Sequence, residues 1–154
     1  MYHAIVVGTD GSETASIAVN RASELAKLTG ATLHIVHAFQ PLSSTLVGAS
    51  STTGPTINVE QVNAGIESGA VEVCRHAASN AVRAGVNVET HALPGDPADA
   101  LITAAKDIGA DLVVVGSRGM SGVRRFILGS VPNKVSHHCP CSLLIVDTAT
   151  ATGE

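Results

Sequence analysis

Aromatic side chains are nearly missing from this 154-residue chain, which has no Trp, one Tyr and two Phe. A core built on rings is excluded, so the buried volume has to come from Val, Ile, Leu and Ala, a palette suited to packed helices and buried strands. Charged residues make up only 14% of the chain and the formal charge is −4, which excludes long-range attraction to nucleic acid or anionic lipid. Long apolar runs are lacking too: none approaches the roughly 20 residues of a membrane span. The residues before the first apolar run, Met1-Tyr2-His3, carry no signal-peptide pattern, so a cytoplasmic protein is expected. Cysteine is scarce. Cys74, Cys139 and Cys141 cannot all pair within the chain, and a disulfide framework is not expected. What remains is length and apolarity: the chain is long enough to bury a substantial core without disulfide or metal support, as one domain over residues 1–148 with a flexible tail at 149–154.

The apolar runs are punctuated in a regular order. Residues 4–7 (Ala-Ile-Val-Val) read as a strand ended by the turn and cap chemistry of Gly8-Thr9-Asp10-Gly11-Ser12. Ala15, Ala18, Ala22 and Leu25 then recur at helical spacing up to Gly30, and residues 32–38 form a second strand. Small polar residues and two prolines over residues 40–56 read as a mobile surface loop. The spacing of Val62, Ile66, Ala70, Val73, Ala77 and Ala81 predicts a long helix over residues 59–83, stopped by Gly85. Residues 86–92 alternate like an edge strand. Asp96-Pro97 opens a helix whose inner face carries Ala98, Leu101, Ile102 and Ala105. Residues 112–115 (Leu-Val-Val-Val) are apolar on both faces and so central. A glycine-punctuated loop leads to a helix over residues 130–138, a fifth strand over residues 142–146, and a Thr/Ala-rich end, residues 147–154, that is expected to fray.

Strands and helices that alternate in this way form a parallel sheet with right-handed crossovers and helices on both faces. Ligands of such sheets collect beyond the carboxyl ends of the strands, where the strand order reverses. Two loops at that edge carry chemistry, the segment Gly8 to Ser12 and the segment Gly116 to Val131. Gly116, Gly119 and Gly129 lack Cβ atoms, so the backbone can approach a phosphate closely and take up left-handed conformations. Gly129-Ser130 falls at a helix start, where free N–H groups, the helix dipole and a hydroxyl favour an anion. Arg118, Arg124, Arg125 and Lys134 add a local basic cluster suited to a small anion.

The spacing Gly116-x2-Gly119-x9-Gly129-Ser130 resembles the signature of the ATP-binding branch of the universal stress protein family. The likeness runs through Val7 to Ser12, Leu33 to Ala38, Gly95-Asp96-Pro97, Asp111 to Gly116 and Cys141 to Val146. It implies a three-layer α/β sandwich with a five-stranded parallel sheet of order 3-2-1-4-5, the Rossmann-like adenine nucleotide hydrolase-like fold. It implies an ATP site with Asp10 facing the ribose or a phosphate-bound Mg²⁺, flanked by Gly8 and Thr9. Ala38 would meet the adenine, and Gly116, Gly119, Gly129, Ser130 and Val131 would hold ribose and phosphates, with Arg118, Arg124 or Arg125 as charge partners. It also implies a homodimer joined through Ser142–Val146, a strand too apolar to be left open at a sheet edge. Cyclic AMP in place of ATP, or a dimeric interaction module without nucleotide, are the alternatives the family allows.

Other nucleotide motifs are missing. The chain has Gly8-x-x-Gly11 where a dinucleotide fingerprint needs G-x-G-x-x-G, and no glycine is followed by the Lys-Ser or Lys-Thr of a Walker loop. The run His137-His138-Cys139-Pro140-Cys141 has the residue types of a zinc site, but ligands so crowded cannot all converge on one tetrahedral ion. Packing is expected for Cys141, exposure for these histidines, an inert partly buried thiol for Cys74, and no metal ligand is assigned. No residue stands out as a general base, so binding, with at most weak ATP hydrolysis, is expected.

Overall fold

Short apolar runs settle the first, fourth and fifth strands, with Gly8 and Gly116 closing the first and the fourth. In the computed structural model, which describes residues 1–43, 45, 54, 57–118 and 128–148, the strands are β1 (Ala4–Gly8), β2 (Thr32–Phe39), β3 (Val88–Pro94), β4 (Leu112–Gly116) and β5 (Ser142–Val146). Between them run α1 (Glu13–Thr29), α2 (Val59–Arg83), α3 (Pro97–Ile108) and α4 (Ser130–His138). All five strands are parallel in the order β3-β2-β1-β4-β5, as expected.

Alternation along the strands divides the core in two. Ile5, Val7, Leu33, Ile35, Leu112 and Val114 face one side, where Ala18, Val19, Ala22 and Ala26 of α1 and Ala78 and Ala81 of α2 cover them. Val6, Val36, Val113 and Val115 face the other, under Ala98, Leu101, Ile102 and Ala105 of α3 and Val135 of α4. Alanine dominates the helix faces, which lets the helix backbones lie close to the branched strand residues.

Several expected boundaries move. β3 starts at Val88 rather than Val86, because the Val86 amide donates to the Ala81 carbonyl and the Asn87 side chain to Thr32 Oγ1 (both 3.0 Å), which makes these two residues the connection from α2. On α2 the buried line is Ala70, Cys74, Ala78 and Ala81, one residue on from Val73 and Ala77, and Cys74 is fully buried rather than partly. The end of the chain is not frayed from Asp147: Thr148 is 2% exposed, its amide donating to Ser117 Oγ at 3.2 Å. Residues 149–154, and 44, 46–53, 55 and 56 of the expected loop, lie outside the described residues. The start of that loop is tied to α2, where the Asn63 side chain accepts from the Leu42 amide (2.8 Å) and donates to the Leu42 carbonyl (3.1 Å).

Among the described residues no helix is long and apolar enough to cross a membrane. With β1 continuing to β2 on one side and β4 on the other, the order reverses between β1 and β4, and a crevice opens at their carboxyl ends.

Candidate functional site

The loop after β1 is held by its own short side chains. The Thr9 amide prolongs the sheet by donating to the Val36 carbonyl at 2.9 Å, and Thr9 Oγ1 accepts from the Gly11 amide at 3.1 Å. Gly11, at φ +80°, makes the left-handed turn that a side chain would strain. Asp10 Oδ1 accepts from the Ser12 amide at 2.9 Å and from the Ser12 hydroxyl, and that hydroxyl caps α1 by accepting from the Ala15 amide at 3.2 Å. Asp10 is exposed, with this one carboxylate oxygen committed to the turn. The turn uses Asp10 Oδ1.

The loop after β4 is held by the chain end. The Ser117 amide donates to the Val146 carbonyl at 2.8 Å, its hydroxyl meets Thr148, and the Gly129 amide donates to the Ser117 carbonyl at 3.0 Å. Gly129 is the N-cap of α4 and provides no side-chain cap. Pro132 has no N–H and the Asn133 amide is used by the Gly129 carbonyl. The amides of Ser130 and Val131 thus open the helix with no partner among the described residues, and the Ser130 hydroxyl makes no cap hydrogen bond.

These loops and the end of β2 enclose a cleft of about 210 Å³. Gly8, Thr9, Asp10, Ala38, Gly116, Arg118, Gly129, Ser130 and Val131 all line it, so nine of the sequence-assigned residues meet at one place. Gly119, Arg124 and Arg125 lie outside the described residues. Two expectations are corrected. Gly116 and Gly129 are not left-handed; Gly129 has φ −58°, and a Cβ on Gly116 would come within 3.0 Å of Thr148 Cγ2, so what matters there is the missing side chain. Lys134 does not belong to a free basic cluster, because it pairs with Asp99 at 2.9 Å and Asp96 at 3.4 Å.

The sequence reading missed Val36 and His37 at the end of β2, Pro97 and Leu101 on α3, and Ala15, Val115 and Pro132, all of which line the cleft. Val36 and His37 could have been found from register alone, since β2 runs alongside β1 with Gly8 opposite Val36. His37 Nδ1 lies 2.9 Å from the Thr9 carbonyl, which can only accept, so the ring hydrogen sits on Nδ1 and steadies the Asp10 turn. No local signal marks Leu101, whose Cδ1 would sit 2.9 Å from a Cβ on Gly8.

The run His137 to Cys141 does not converge. Both histidines are exposed, and the two sulfurs, 4.0 Å apart, each turn toward the Ser142 carbonyl. Burial, with Cys139 alongside, pushes the Cys141 thiol up to about 11, so at neutral pH it carries its proton.

Comparison with known proteins agrees with this architecture. The universal stress protein family pattern matches residues 1–147. Universal stress protein YxiE of Bacillus subtilis is 35% identical over 150 residues, covering 95% of this chain and 99% of the relative. A universal stress protein crystallised in complex with cAMP is 32% identical with a TM-score of 0.70, over 96% of this chain and 98% of that one. One from Archaeoglobus fulgidus in complex with dAMP is 25% identical with a TM-score of 0.64, over 94% and 98%.

Proposed function

The chain belongs to the universal stress protein family, and from that premise we propose that it binds an adenine nucleotide, ATP foremost, in the cleft between the β1 and β4 loops. The observation that carries this reading is the backbone cradle. Gly116, Gly129, Ser130 and Val131 line the cleft together with the exposed Asp10 carboxylate, and the amides of Ser130 and Val131 have no partner among the described residues. Phosphates would take the amides of Ser130 and Val131, the Ser130 hydroxyl and Arg118. The ribose would lie near Asp10, and the base against Ala38, Val36 and Leu101, an apolar slot that asks for shape rather than hydrogen bonds.

A magnesium ion fits the donor set in a limited way. Asp10 is an exposed carboxylate on the cleft, and Mg²⁺ is commonly held by one or two carboxylates plus nucleotide phosphates. When bound it would screen charge between phosphate oxygens; the chain itself supplies orientation. We assign a binding and regulatory role with at most slow hydrolysis. The three thiols, all free, accord with the reducing cytoplasm. We further propose a homodimer joined through β5.

A second reading, cyclic AMP as the resident ligand, is favoured by the 32% identical relative bound to cAMP. Competition calorimetry of the purified chain with ATP, ADP, AMP and cyclic AMP separates the two. ATP should bind tightest, and a Gly129→Val variant should lose binding of every nucleotide. Cyclic AMP binding tighter than ATP transfers the assignment to the second reading, and no binding of any of the four removes both. Turnover at many per second, abolished by Asp10→Asn, would overturn the non-enzymatic role.

A further inference from the structure

On the face of the sheet that carries α3, at the β2–β3 edge, three metal-ligating side chains converge. His34 of β2 lies opposite Glu89 of β3 in the register, with His91 one same-face step further along β3. His34 Nδ1 is 3.1 Å from His91 Nε2 and 3.4 Å from Glu89 Oε2, and one donor atom from each of the three residues falls within 4.8 Å of the others. None of the three lines the nucleotide cleft.

We propose that His34, Glu89 and His91 bind a divalent transition-metal ion of the zinc class, clamping edge strand β3 to β2 and leaving a fourth position for water or an exogenous ligand. Spacing is the first argument. Ligands held at about 2.0–2.1 Å from a tetrahedral ion stand about 3.3 Å from one another. The separations from His34 Nδ1, 3.1 Å to His91 and 3.4 Å to Glu89, bracket that edge.

Chemistry is the second argument. Two imidazoles with one carboxylate suit zinc, copper or nickel, whereas calcium and magnesium require oxygen donors. One hydrogen on His34 Nδ1 can point at only one of its two neighbours, while a cation among the three satisfies all of them at once. The ligands come from two strands in fixed register, 57 residues apart between His34 and His91, so the donors are preorganised. Burial is graded as an entry path requires: the side chain of His34 is 8% exposed and that of Glu89 60%.

The test uses the full chain without an affinity tag, stripped of metal by chelation and titrated with Co²⁺ and then Zn²⁺. One Co²⁺ per chain should bind with the visible spectrum of a four-coordinate ion and be displaced by Zn²⁺. Glu89→Gln and His91→Gln, which alter side chains outside the core, should each weaken Co²⁺ binding by at least about tenfold. Asp10→Asn and a Cys139→Ser, Cys141→Ser double variant should leave it unchanged. Zn²⁺ should also raise the melting temperature of the parent chain, and His91→Gln should abolish that rise. The proposal is overturned by failure to take up stoichiometric Co²⁺, by uptake that survives both Glu89→Gln and His91→Gln, or by uptake lost with the two cysteines.

Discussion

Gly8 and Ser130 show how a residue's type can stand for different physical needs. Gly8 marks a close approach: a Cβ there would lie 2.9 Å from Leu101 Cδ1, so the Leu101 side chain, which also lines the cleft, would have to shift. Gly8→Ala should cost about 1–3 kcal/mol by overpacking, and adding Leu101→Val should recover part of it. Urea unfolding of the two single variants and the double variant measures that coupling. Ser130 is the opposite case, since it sits at the first turn of α4 without capping it. Ser130→Ala should therefore change stability by less than about 0.5 kcal/mol. If the hydroxyl serves a phosphate, the same variant should lose about tenfold or more in ATP affinity, the worth of a hydrogen bond to a charged group. A drop in melting temperature with unchanged affinity would make Ser130 a helix residue only.

At the scale of elements, α3 and α4 are joined by charge. Asp96 caps α3 by accepting from the amides of Ala98 (3.0 Å) and Asp99 (3.1 Å), and Lys134 of α4 reaches both Asp96 and Asp99. The Asp99 amide first, and Lys134 after it, hold the Asp96 carboxyl below the usual carboxylate range. Its folded pKa is thus below the unfolded value of about 3.9, so its contribution is present above that value and is lost as pH falls through the folded pKa. Asp96→Ala should cost about 0.5–2 kcal/mol at pH 7, as for a lost N-cap, and the gap to the parent should close below about pH 4. Melts from pH 7 down to pH 3 check the sign. A gap that widens in acid would rule out the charged cap as its source.

For the whole molecule, strand order places β3 and β5 at the two edges of the sheet. β3 has a polar, half-exposed burial pattern, whereas β5 presents Leu144 at 37% exposure on an apolar edge strand. An edge of that kind tends to pair with another chain. Sedimentation should find a dimer at micromolar concentration, and Leu144→Lys should shift it to monomer while leaving the melting curve cooperative. A monomeric parent chain would remove the proposed β5 interface.

Local chemistry was enough to read the strands and the helices and to single out Gly116, Gly129 and Ser130, which line the cleft. The apolar runs ending in Gly8 and Gly116 and the cap at Asp96-Pro97 act over a few residues, and the spacing from Gly116 to Ser130 is written along one stretch of chain. Position along the chain says nothing about which strands become neighbours, and the order β3-β2-β1-β4-β5 was reached from the resemblance rather than from any one segment. Tertiary packing alone decided that Leu101 closes over Gly8, that Lys134 is spent on Asp96 and Asp99, and that Thr148 docks on Gly116. It also decided that His34 meets Glu89 and His91. Each of these depends on register or on which helix turn overlies which strand, set by contacts between residues far apart in sequence.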